Sequence, residues 1–79
     1  MDVQVDATLD CKGLSCPMPI VKLAKKMKKE VQPGQVLKME GTDPGTKKDV
    51  PGWCKKTGHE FMGVTEKDGV YTYLIKCNK

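Results

Sequence analysis

The feature that most constrains this chain is a single apolar stripe between residues 17 and 31. Ile20, Leu23, Ala24, Met27 and Val31 recur at helical spacing, and Lys22, Lys25, Lys26 and Lys29 form a second stripe at the same spacing. A helix patterned this way has one wet face and one face that must cover another layer. Pro17 opens it and Pro33-Gly34 stops it. A second helix is expected over roughly Lys47 to Thr57, with Val50, Trp53, Cys54 and Thr57 inward and Gly58 closing it. Asp49 is read as its N-cap, because Pro51 then falls at the second helical position, where no backbone donor is needed.

The remaining segments have a period of two. Val3, Val5, Ala7 and Leu9 alternate with polar residues up to Asp10, which predicts a half-buried strand, followed by a loop from Cys11 to Ser15. Gln35 to Gly41 reads as a second strand, and Thr42-Asp43-Pro44-Gly45 as a turn. Glu60–Glu66 and Val70–Cys77 read as two more strands joined by a tight Lys67-Asp68-Gly69 hairpin. The order is βαβαββ. Two singly striped helices pack on one face of a four-stranded mixed sheet, so the expected fold is an α/β two-layer sandwich. With 79 residues, the chain makes one domain spanning 1–79.

Composition narrows the function. No apolar run approaches the ~18 residues of a membrane span. The start MDVQVDATLD lacks the basic and apolar blocks of a signal peptide, so a cytoplasmic address and reduced thiols are expected. The net charge of +4 comes from lysine alone. Arginine is the usual residue for bidentate phosphate and base contacts, and it is absent. With only four aromatic residues to stack on bases, direct nucleic-acid binding is disfavoured. The four cysteines Cys11, Cys16, Cys54 and Cys77 contain one close pair, whereas a zinc site usually shows two. No metal and no cofactor are expected.

The chemistry concentrates in Gly13-Leu14-Ser15-Cys16-Pro17-Met18-Pro19. With Pro17 at the first helical position, Cys16 is the N-cap. A sulfur there meets the positive end of the helix dipole, which favours the thiolate. Pro19 has no N–H, so the Met18 amide is the natural donor to that sulfur. No histidine or carboxylate lies within three residues of Cys16, and the sole histidine, His59, follows the second helix. A nucleophile activated by position alone suits attack on another sulfur, which needs no general base.

Leu9-Asp10, Gly13-Leu14 and Cys16-Pro17-Met18-Pro19 resemble the signature of the TusA, or SirA-like, sulfur-carrier family. The likeness continues through Pro33-Gly34, Thr42-Asp43-Pro44, Asp49-Val50-Pro51 and Gly58-His59-Glu60. The resemblance implies the same βαβαββ sandwich. It also implies that Cys16 carries sulfur as a persulfide. The donor would be a cysteine desulfurase or rhodanese-type protein. The acceptor would be a DsrE-type or similar protein in tRNA thiolation, cofactor maturation or sulfur oxidation. On this reading the chain is a sulfurtransferase-type carrier more than a stand-alone enzyme. Gly13, Leu14, Pro17, Met18 and Pro19 form the supporting motif.

Cys11 is a candidate second thiol, which keeps a Cys11–Cys16 thiol–disulfide module as an alternative. Lys22, Lys25, Lys26 and Lys29 are candidates for docking an acidic partner. The other alternative is a non-catalytic regulatory or nucleic-acid-binding module built on those lysines.

Overall fold

The computed structural model describes residues 4–15 and 18–78. Its elements are β1 (Ala7–Cys11), α1 (Met18–Glu30), β2 (Val36–Gly41), α2 (Thr46–Thr57), β3 (Glu60–Lys67) and β4 (Val70–Lys76). The sheet order is β1-β2-β4-β3, with β1 parallel to β2 and the other pairs antiparallel. This is the expected α/β sandwich with a mixed sheet.

The pleat sorts side chains between the two faces. Leu37 and Met39 of β2, and Tyr73 and Ile75 of β4, point into the helical layer and are fully buried. They meet Leu23 and Met27 of α1 and Val50 and Cys54 of α2 in one core. These helical residues lie on the two inner stripes that the periodicity picks out. The alternate strand positions carry Thr8, Asp10, Lys38, Glu40, Thr72 and Lys76 on the open face of the sheet.

Several boundaries differ from the sequence expectation. The first strand begins at Ala7, and Val3 lies outside the described residues. Its partner β2 starts only at Val36, so earlier residues have no ladder to join. Asp6 closes the end, its amide donating to the Val36 carbonyl and its carboxylate accepting from the Val36 amide, both at 2.9 Å. At the other end Cys11 belongs to the strand, paired with Gly41, instead of opening the loop.

The third difference is the start of α2. Asp49 is inside the helix and Gly45 occupies the N-cap. The Asp43 turn winds directly into helix: the Thr46 amide donates to the Asp43 carbonyl, and the Lys47 and Lys48 amides donate to Pro44 and Gly45. Thr46 fixes this early start. Its hydroxyl donates to the Asp43 carbonyl at 2.6 Å and meets the Tyr73 hydroxyl at 2.6 Å, deep in the core. Since Thr46 has one proton and gives it to Asp43, Tyr73 must be the donor to Thr46. Pro51 therefore sits within the helix and forfeits one i→i−4 bond, to the exposed Lys47.

The hairpin between β3 and β4 is tighter than three residues, because Lys67 pairs with Val70. Asp68 and Gly69 both have positive φ, 53° and 79°, as a type I′ turn requires.

Removing the Tyr73 hydroxyl tests the Thr46 anchor. Tyr73→Phe leaves the ring in the core and should lower unfolding free energy by about 1–2 kcal/mol in urea titration. An unchanged midpoint would show that the bond contributes nothing net.

Candidate functional site

Parallel pairing of β1 and β2 through the crossover helix α1 puts both strand C-termini on one edge. The β1–α1 loop, the β2–α2 turn and the N-termini of both helices gather there. The loop is shaped by short-range bonds. The Lys12 amide donates to the Asp10 carboxylate at 3.0 Å, and the Leu14 amide to the Cys11 carbonyl at 3.1 Å. Gly13 has φ +82°, a left-handed conformation that a side chain would strain. Its amide donates to the Thr42 hydroxyl at 3.0 Å, tying the loop to the neighbouring turn.

Of the motif residues, Leu14 is half-buried and packs against the core, which anchors the loop from below. Pro19 is fully buried. Met18 opens the helix and is 48% exposed. Cys16 and Pro17, with the N-cap geometry expected of them, lie outside the described residues.

The other three cysteines are all buried. Cys11 is fully enclosed on the inner face of β1, and its thiol approaches the Pro19 carbonyl at 3.9 Å. Burial pushes its pKa up; nearby Lys22 offsets this in part, and Asp10 adds to it. Cys54 is pushed up to about 11 by burial in the helix–sheet core. The Cys77 thiol points to the Val31 carbonyl at 3.8 Å. For Cys11 and Cys54 burial favours the neutral thiol, the opposite of what activates a nucleophile.

His59 stands at the far end of the sheet. It precedes β3, whose first residue Glu60 pairs with Lys76, itself opposite Val36 at the start of β2. The length of β2, roughly 17 Å for six residues, separates that end from the β1–α1 loop. His59 is engaged there, stacked on Trp53 with ring centroids 5.3 Å apart and accepting the Asn78 amide at 3.2 Å. A cavity of about 220 Å³ between the helices, lined by Ala24, Met27, Lys28, Trp53 and His59, opens beside it.

The lysine stripe is not uniform. Lys22 reaches the Asp10 carbonyl at 3.4 Å, and Lys26 pairs with Glu30 at 3.0 Å. Lys25 and Lys29 are exposed. Two residues near the loop were missed by the sequence reading. Val21, 41% exposed, lies one turn from Met18 on the outer face of α1. Its place off the apolar stripe is the signal that could have found it. Thr42 was read only as part of the Thr42-Asp43-Pro44 turn, and nothing local signals its bond to Gly13, 29 residues away.

Residues 7–77 match the family described as Sulfurtransferase TusA. The chain belongs to the TusA family. The sulfur carrier protein TusA of Pseudomonas entomophila is 45% identical over 75 residues, covering 95% of this chain and 92% of that one. TusA of Pseudomonas aeruginosa PAO1 is 42% identical, with 96% and 95% covered. The putative sulfur carrier protein YrkF of Bacillus subtilis is 52% identical over 61 residues, 77% of this chain but only 32% of that longer one. A crystal structure of a SirA-like protein from Desulfitobacterium hafniense shares the fold, with a TM-score of 0.79 at 22% identity, over 92% of this chain and 99% of that one. Among the described residues of this TusA-family chain, no helix is long and apolar enough to cross a membrane.

Two outcomes follow from the buried thiols. Under native conditions iodoacetamide should add one label per chain, and Cys16→Ser should take none; in denaturant the wild type should take four. Two native labels, read by intact mass, would show that a core thiol is accessible. The Cys54 shift has a definite sign. The unfolded thiol ionises near 9.0 and the folded one near 11, so stability should fall as pH rises through that window. Urea titrations at several pH values should find the decline shallower in Cys54→Ala. Equal slopes would mean Cys54 has no part in it.

Proposed function

We propose that this chain is a cytoplasmic sulfur carrier that holds a persulfide on Cys16 and relays it between two proteins. The observation that carries the reading is how the four thiols divide. Cys11, Cys54 and Cys77 are sealed in the core. Cys16 belongs to the Cys-Pro-x-Pro motif at a helix start, within a chain of the TusA family. Relatives at 42–45% identity bear the name sulfur carrier protein.

The step balances without an external oxidant. The Cys16 thiolate attacks the terminal sulfur of a donor persulfide. A new S–S bond forms, the donor's S–S bond breaks, and the donor leaves as a thiolate that takes up a proton. Cys16–S–SH is then attacked at its outer sulfur by an acceptor thiolate, which regenerates the Cys16 thiolate. The position of Cys16 supplies the only activation needed, since a thiolate favoured by the helix dipole is already the nucleophile. Donors are of the cysteine desulfurase or rhodanese type, and acceptors of the DsrE type or similar. The outlet is tRNA thiolation, cofactor maturation or sulfur oxidation. Exposed Met18, with Lys25 and Lys29 further along α1, offers an apolar and basic surface to an acidic partner.

The complete burial of Cys11 weighs against a Cys11–Cys16 redox couple, since an enclosed thiol is poorly placed to exchange with a partner. The test is intact mass after incubation with a sulfane-sulfur donor. Wild type and Cys11→Ala should each gain one sulfur that a reductant removes, and Cys16→Ser should gain none. Loss of two hydrogens without a sulfur gain in wild type would replace the carrier reading with the redox couple.

A further inference from the structure

We propose that the cavity between α1 and α2 is a second docking site, which takes an acidic protein segment anchored by one aromatic side chain. It lies toward the end of the molecule remote from the β1–α1 loop, and no sulfur chemistry enters its use.

The cavity is lined by Ala24, Met27 and Lys28 of α1, by Trp53 of α2 and by His59 beyond it. Ala24, the smallest side chain on the α1 stripe, leaves room there. About 220 Å³ is open. Roughly 150 Å³ suffices for a benzene ring, so the space takes one ring of phenylalanine or tyrosine size. The wall is already built. Trp53 is stacked on His59 with ring centroids 5.3 Å apart, and His59 is held by the Asn78 amide at 3.2 Å. Met27 is buried in the core. A preformed apolar pocket beside a half-buried tryptophan is the kind of feature that seats the anchor of a protein interface.

Charge decides what surrounds that anchor. The two helices carry nine of the fourteen lysines and only two carboxylates, Glu30 and Asp49, a balance of +7. The rest of the chain has five lysines against eight carboxylates, a balance of −3, which completes the net +4. The helical layer is thus a basic face on a chain that is otherwise acidic. Two of its lysines flank the cavity: Lys28 lines it, and Lys56 stands one turn from Trp53 along α2. Both are exposed, and among the described residues neither forms an ion pair. Lysines in a last turn complement the helix dipole. That accounts for a lysine at each helix end, not for an open apolar cavity between them. Lysine alone, without arginine's bidentate grip on phosphate, favours carboxylates over a nucleic-acid backbone. The occupant is a run of aspartate and glutamate around one phenylalanine or tyrosine.

The test is a titration with a short capped peptide of glutamates around one central phenylalanine. Binding is followed by amide NMR and by the emission of Trp53, the sole tryptophan. That emission and the amides of Ala24, Lys28 and His59 should shift together. Replacing the peptide's phenylalanine by alanine should weaken binding at least about fivefold, as loss of an interface anchor does. Lys28→Gln combined with Lys56→Gln should weaken it severalfold and flatten its salt dependence. Ala24→Leu fills the cavity and should abolish the preference for the phenylalanine peptide.

Equal binding of the two peptides, or of neither, would overturn the proposal. So would shifts confined to other residues, binding indifferent to the lysine changes, or a response to polyuridylate as strong as to the peptide. Should Ala24→Leu not fold, the two peptides on the wild type still decide. Cys16 takes no part in these titrations, so their failure leaves the sulfur-carrier reading where it stands.

Discussion

Parallel pairing between β1 and β2 is the constraint from which the rest of this molecule follows. A parallel pair requires a crossover, and α1 supplies it. The crossover leaves both strand ends, the starts of both helices and the connecting loops on a single edge. Antiparallel β4 closes the other side of β2 and brings Tyr73 beneath that edge. The hydroxyl of Tyr73 organises the second turn through Thr46, and the second turn steadies the first loop through Thr42. The functional motif is short, but its surroundings come from four separate stretches of chain.

Burial divides the sulfur chemistry. Cys11, Cys54 and Cys77 are enclosed like small apolar residues, and burial pushes the thiols of Cys11 and Cys54 up. Their value to the core is volume. The separation needs no distance: Cys11 lies only five positions before Cys16, yet it points into the sandwich from an edge strand.

Much of the fold was legible from periodicity. The inner stripes of both helices, the four strands and the hairpin glycine all follow from local patterns. Local reasoning failed where a distant partner decided the outcome. The first strand stops where β2 stops, a fact absent from residues 3–10. Helix α2 takes its N-cap at Gly45, four residues before the expected Asp49, because Thr46 bonds a tyrosine 27 residues away. Asp49 and Pro51 made a plausible start in isolation and lost to that anchor. At the site, Leu14 could have faced either way; packing against the core decides it. The motif around Cys16 was legible as chemistry, whereas Thr42 becomes visible only once two loops are seen side by side.

The hold on Asn78 has an architectural consequence. Its amide and side chain are bonded to His59 and to the Gly58 carbonyl, at the end of the sheet remote from the β1–α1 loop. A domain joined beyond this point would leave from the far pole. The loop edge would stay clear for a visiting partner, whatever is tethered behind it. The same scaffold can thus serve alone or as one module of a longer chain without rebuilding its business end.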